Sequence, residues 1–240
     1  MGIHTKSVRA CVFVVIAAGG SAMVGVAKAN PVPLQNASAT FSQTFDGGYL
    51  ASEMLDGFFG PGNGWAVFNG GVTSAQTAVM ETVTDLTAPA VQFDLHQFHG
   101  TNHTLGRFRF SVTTDDRATF ADGLSSSGDV SANWTVLALT GAALPAGINF
   151  SVLGDGSILI AGANPATAIY SLTFNLPFGG VTGVRLEALE DPSLPTGGPG
   201  RQTNGNFVVS ELVATSIIPT PAAAALLGLG GLVATRRRRA

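Results

Sequence analysis

"LGRFRFSV", residues 105–112, decides the fold. From Arg107 onward, Arg109 and Ser111 alternate with Phe108, Phe110 and Val112, so every second side chain is apolar. A strand turns successive side chains to opposite faces, whereas a helix returns to one face every three or four residues. Period two therefore predicts a strand with one dry face and one wet face. Similar β-rich runs between turn residues are expected at 65–68, 76–82, 91–93, 133–140, 148–153, 157–161, 168–174, 183–188 and 206–213. Asp155 and Gly156 lie between two of them and predict a hairpin turn. No sustained helical period appears, apart from one turn's worth around Tyr49, Leu50, Met54 and Leu55. The fold class is all-β, a β-sandwich or jelly roll.

Both ends of the 240-residue chain read as addresses. Lys6 and Arg9 precede an apolar run, 10–26, and Ala27 and Ala29 supply the small residues of an A-x-A cleavage site. The expectation is a secretory signal over 1–29, cut by signal peptidase after Ala29. At the other end, Pro219 and Pro221 interrupt an uncharged stretch, so a continuous helix can run only over 222–235. Such a helix reaches ~21 Å, short of the ~30 Å hydrocarbon core, and including Ile217 and Ile218 with snorkelling arginines would just make up the difference. Arg236, Arg237, Arg238 and Arg239 stay cytoplasmic under the positive-inside rule.

Between the ends, 30–215 is the length of one domain. It holds five arginines, no lysine and all fifteen carboxylates, a net charge of −10. A body this acidic repels phosphate backbones, which argues against nucleic acid as a partner. The single cysteine, Cys11, lies in the signal. Stability must come from the core, with no disulfide or thiolate–metal staple.

The tail resembles the PEP-CTERM sorting signal of exported bacterial proteins: Pro219-Thr220-Pro221, a short Ala/Leu/Gly-rich helix, then the arginine cluster. Thr220 stands where the family usually has glutamate. The resemblance implies recognition by an exosortase-like transpeptidase, transient residence in the inner membrane over 216–240, and release to the cell surface or extracellular matrix. The other reading of the same residues is an ordinary C-terminal anchor.

The body resembles a galactose-binding-domain-like jelly roll, the architecture of discoidin and coagulation-factor C-type domains. The carrying residues are Ser42-Gln43, Leu55-Asp56-Gly57, Gly64-Trp65-Ala66-Val67 and the run from His103 to Arg109. The stretch 183–189 and the loop Gly198-Pro199-Gly200-Arg201 with Asn204-Gly205-Asn206-Phe207 complete it. The resemblance implies adjacent terminal strands and ligand loops gathered at one end. Residues 115–153 match nothing in the family and read as an insertion.

Three constellations bear on chemistry. His96, His99 and His103, near Asp94, are candidate metal ligands, but Gly100-Thr101-Asn102 breaks any helix that would align them. Solvated loop histidines are the alternative. Oxygen-rich loops at Asp46-Gly47-Gly48 and Asp56-Gly57 are of the sort calcium uses, without a D-x-D-x-D-G ladder. Phe58 and Phe59, framed by glycines, are candidates for an exposed sugar platform, with Asp56, Asn63, Arg201 and Asn204 as hydrogen-bonding partners. Arg201 and Asn204 equally suit backbone groups of their own loop. Trp65 and Trp134 sit in strand patterns and read as core.

No nucleophile elbow, zincin motif, P-loop or dinucleotide fingerprint occurs. The expected function is a non-enzymatic carbohydrate-binding or structural module of the cell surface. A glycan-active hydrolase using Asp56 or Glu81 is the rival from another class. A purely structural envelope subunit is the third reading.

Overall fold

The computed structural model describes residues 28–44, 48–71 and 73–218. The chain divides into a body, Pro31–Ser216, and a unit formed by its two ends, Met1–Asn30 and Ile217–Ala240, which lies almost wholly outside the described residues. Ala27, Pro219, Thr220, Pro221 and the four terminal arginines fall outside, whereas Ala29 lies in the first strand.

The strands in chain order are β1 (Lys28–Pro31), β2 (Leu34–Ala39), β3 (Trp65–Ala66), β4 (Gln76–Leu86), β5 (Ala90–Gln97), β6 (Arg107–Thr113), β7 (Thr135–Val136), β8 (Leu139–Ala143), β9 (Ile148–Val152), β10 (Ile158–Gly162), β11 (Ala168–Asn175), β12 (Val181–Ala188), β13 (Val208–Val209) and β14 (Glu211–Ile218). They build an all-β sandwich. One sheet runs β1-β14-β5-β11-β8; the other runs β2-β4-β12-β6-β10-β9, with β7 beside β6; β13 and β3 form a short ribbon. The first and last strands are neighbours, as the jelly-roll resemblance implies.

The core follows from the alternation. Phe108, Phe110 and Val112 of β6 are buried between the sheets. The Phe110 ring stacks on Phe93 of β5 at 4.4 Å, and Phe174 of β11 closes the trio at 5.6 Å from Phe110. Tyr170 lies parallel to Phe108 at 6.3 Å. Each buried ring contributes about 2–3 kcal/mol of transfer free energy, and together they lock the two sheets in one register. The hairpin at Asp155-Gly156 forms as expected, β9 against β10 with Ile158 opposite Val152.

Four departures have physical causes. β2, "LQNASA", was not anticipated because three of its six residues are polar; it pairs with β4 and needs a bulge between Gln35 and Ser38, where Asn36 takes φ +52°. The expected strand 206–213 splits, because β13 pairs with β3 before the chain crosses to the other sheet as β14. The run 133–140 likewise breaks into β7 and β8. Trp65 is fully buried, but Trp134 is not core: it lies partly exposed against Phe120, with the Arg185 guanidinium 5.3 Å over its ring.

Trp134 belongs to the stretch expected as an insertion, 115–153, whose first half, 115–134, packs Phe120 and Ala121 against Val79 on the outer face of the seven-stranded sheet. This cover explains why β12 is buried on both faces and lacks clean alternation.

Candidate functional site

The loop 56–64 joins a 3₁₀ turn, Ala51–Leu55, to β3. Its glycines are required by geometry at one point above all: Gly64 takes φ +120°, and a Cβ there would collide with the carbonyl of Val209. Two carboxylates clamp the loop ends. Glu211, on β14, accepts the Gly57 N–H at 3.0 Å, and Glu53 accepts the Gly64 N–H at 3.2 Å. Between the clamps, Asp56 accepts the Phe58 N–H at 2.8 Å. The Asn63 amide reaches the Glu53 carbonyl at 3.1 Å and Asp56 at 3.2 Å. The loop is therefore rigid, yet it presents Phe58 at 54% and Phe59 at 41% exposure.

Phe59 meets His96 edge to face at 4.7 Å, and His96 meets Phe98 the same way at 5.5 Å. Burial, opposed by the charge of Asp94, holds the His96 imidazole below its ordinary pKa. Burial lowers His99 as well. His103 is lowered by burial and by neighbouring His99, against a raising bond to the Gly100 carbonyl. All three rings are accordingly neutral at pH 7 and behave as flat, weakly polar surfaces.

The structure brings His99 and His103 together, rings 4.5 Å apart, with the Tyr49 hydroxyl 3.4 Å from His99 Nδ1. His96 stands apart from that pair, on the outer face of β5 among phenylalanines. The three histidines are thus not brought to one point, and among the described residues no group of three His, Cys, Asp or Glu side chains is arranged to hold a metal ion. The strand sends His96 to one surface while the break at Gly100 carries the other two into the loop. Asp46 and Gly47 of the calcium-type loop lie outside the described residues.

Arg201 and Asn204 hold their own loop. Both terminal nitrogens of Arg201 donate, at 2.7 Å each, to the carbonyls of Ala163 and Gly162. Asn204 accepts the Asn206 N–H at 3.0 Å, and its carbonyl accepts from Thr73. The long Pro/Gly loop is ordered, with the Gly106 N–H bonded to Pro199 at 2.7 Å. Asn164, not anticipated, ties three segments: its amide donates to the carbonyls of Arg201 and Asn102 while its oxygen accepts from Thr104. A cleft of about 360 Å³ opens beside it, lined by Leu159, Gly162, Asn164, Leu194 and Arg201.

The clamps Glu53 and Glu211 were also missed. Glu211 carried a signal: one carboxylate inside the apolar run "NFVVSELVATSII". Glu81, the rival's candidate acid, is buried with both oxygens engaged, one by Gln35 at 2.9 Å and the other by Asn36 at 3.0 Å.

No known family model matches the chain, and no curated protein matches it either. Among solved structures it is similar to CpGH89CBM32-5 from Clostridium perfringens, in complex with GalNAc-β-1,3-galactose. That match has 16% identity and a TM-score of 0.47, covering 77% of this chain and 99% of that one. It is similar to the family 32 CBM from C. perfringens NanJ in complex with galactose, at 12% identity and TM-score 0.44, covering 79% and 100%. It is also similar to the F5/8 type C domain of a Bacteroides fragilis protein, at 12% identity and TM-score 0.44, covering 77% and 92%.

Proposed function

We propose that the body is a non-catalytic module that binds a saccharide on the Phe58–Phe59 platform. The observation that carries this reading is the pairing of exposure with rigidity: two adjacent phenylalanines face solvent on a loop clamped by Glu53 and Glu211. Exposed aromatic faces accept the C–H faces of sugar rings, while Asp56 and Asn63 beside them offer directional hydrogen bonds. A preordered loop spares the ordering cost of binding. The rival hydrolase loses support because Glu81 is buried with both oxygens held by side-chain amides.

The module rides on an exported chain. Its first 29 residues act as a signal for signal peptidase, and its tail acts as a PEP-CTERM-type signal for an exosortase-like enzyme that delivers the body to the cell surface. The support for this part lies in the order Pro-Thr-Pro, apolar run, arginines.

A glycan array, run with and without calcium, tests the binding. Galactose and GalNAc-β-1,3-galactose serve as the first probes. Phe58→Ala together with Phe59→Ala is expected to weaken the best ligand at least tenfold, about 1.4 kcal/mol. Unchanged affinity in that variant, or no saccharide bound at all, overturns the reading; the second result favours a purely structural subunit.

A further inference from the structure

Among the described residues, the strand paths of the two main sheets end on four strands, β1, β8, β2 and β9, and the two-residue β7 lies off the path beside β6. Open edges template unwanted pairing, and proteins blunt them with lysine, proline or bulges. Three of the four edges are blunted here. β1 carries Pro31, β2 is bulged against β4, and the β8 pairing shifts register between Thr173 and Phe174 of β11. β9, "INFSV", has no charge and no proline, and its register with β10 is unbroken from Val152 to Ile148.

Its side chains make the edge apolar. Phe150 and Val152 lie opposite Ile160 and Ile158, which are buried in the core. Opposed residues share a face, so Phe150 and Val152 extend the core layer past its rim, at 42% and 52% exposure. The backbone is open at the same residues. Leu153 and Gly147 bond across to Ser157 and Ala163 of the neighbouring chain segment, so by alternation Asn149 and Ser151 also face β10. The N–H and C=O groups of Phe150 and Val152 consequently point away from the sheet.

The pattern is palindromic about Phe150: apolar, polar, apolar, polar, apolar. An antiparallel copy centred there sets Phe150 against Phe150 and Ile148 against Val152. That register uses the outward backbone groups of Phe150 and Val152 on both strands, the Ile148 N–H being held by the Pro145 carbonyl, and keeps all six apolar side chains on one face. A strand of another sequence would have to reproduce this match by chance.

We propose that β9 pairs with β9 of a second copy of this chain about a two-fold axis, joining two seven-stranded sheets into one. The arrangement is isologous and closes at two. Each body carries −10 and the full chain −3, so the copies repel at low ionic strength and the pairing strengthens as salt is added.

Cross-linking of the full chain with Cys11→Ser tests it. Paired residues of this type lie ~5.5 Å apart at Cα, within disulfide range, so Phe150→Cys is expected to give a covalent dimer under mild oxidation. Ser151→Cys is the control: its copy is displaced along the strand, more than ~7 Å away, and no dimer should form. Sedimentation of the parent chain should show a dimer that tightens with salt, weakened at least tenfold by Phe150→Lys. A parent that stays monomeric, a Ser151→Cys dimer as abundant as that of Phe150→Cys, or a dimer indifferent to Phe150→Lys each overturns the proposal.

Discussion

Glu211 is a carboxylate planted in an apolar strand, and its ionisation works against the fold. Burial, reinforced by the negative charge of Asp56, raises it to about 7 from 4.5, while the Gly57 N–H pulls it down. The unfolded chain releases this proton near pH 4.5 and the folded chain only near 7. Inside that window the folded state holds a proton that the unfolded state lacks, so stability falls as pH rises. The stabilisation is fully present below pH 4.5 and gone above about 7. Glu53 shifts in the same direction through burial, and the three histidines, held low, oppose both near pH 6.5. The difference between variant and parent isolates Glu211. Glu211→Gln is expected to raise the urea midpoint more at pH 8 than at pH 5. A gain equal at both pH values would contradict the assigned shift.

At the scale of elements, the insertion behaves as a lid on a sheet, and one glycine admits it. A Cβ at Gly183, in the middle of β12, would run into the Phe120 ring, and Thr113 would stand 3.1 Å away. Gly183→Val should lift Phe120 and release Trp134 from its place beneath Arg185. With Trp65 sealed in the core, the expected sign is a red shift in tryptophan emission, accompanied by a stability loss of about 1–3 kcal/mol. Unshifted emission would mean that the cover tolerates the methyl groups. The insertion also shows where reading residues one by one fails. Strands with strict alternation, β5, β6 and β11, were legible because one face meets the core. β2 was illegible because its pairing, not its composition, makes it a strand. The exposure of Phe58 and Phe59 was legible from the glycines that frame them. The clamps were not, since nothing local tells that Glu211 reaches a loop 154 positions earlier.

At the scale of the molecule, the body stands without staples: it has no cysteine and no lysine, and ten more negative charges than positive. Its ion pairs gather on the outer face of the seven-stranded sheet, where Glu187 serves Arg109 at 2.7 Å and Arg185 at 3.0 Å, and Asp155 serves Arg107 at 2.8 Å. The arginines are spent locally, which leaves the surplus carboxylates to set the long-range field. On the proposed sorting route, the polypeptide recovered from the cell surface begins at Asn30 and lacks Arg236 to Arg239. Intact-mass spectrometry reads both ends in one measurement, and a mass that retains the four arginines would return the tail to the ordinary anchor reading.

The platform loop has one more property. Among the described residues, its tip, 58–62, bonds to its own neighbours Asp56 and Asn63 and meets another segment through the Phe59–His96 contact. The two acids grip it at the base, at Gly57 and Gly64. On the proposed reading, contact with a ligand and anchorage of the loop fall to different residues: Phe58 and Phe59 face outward while Glu53 and Glu211 grip the base.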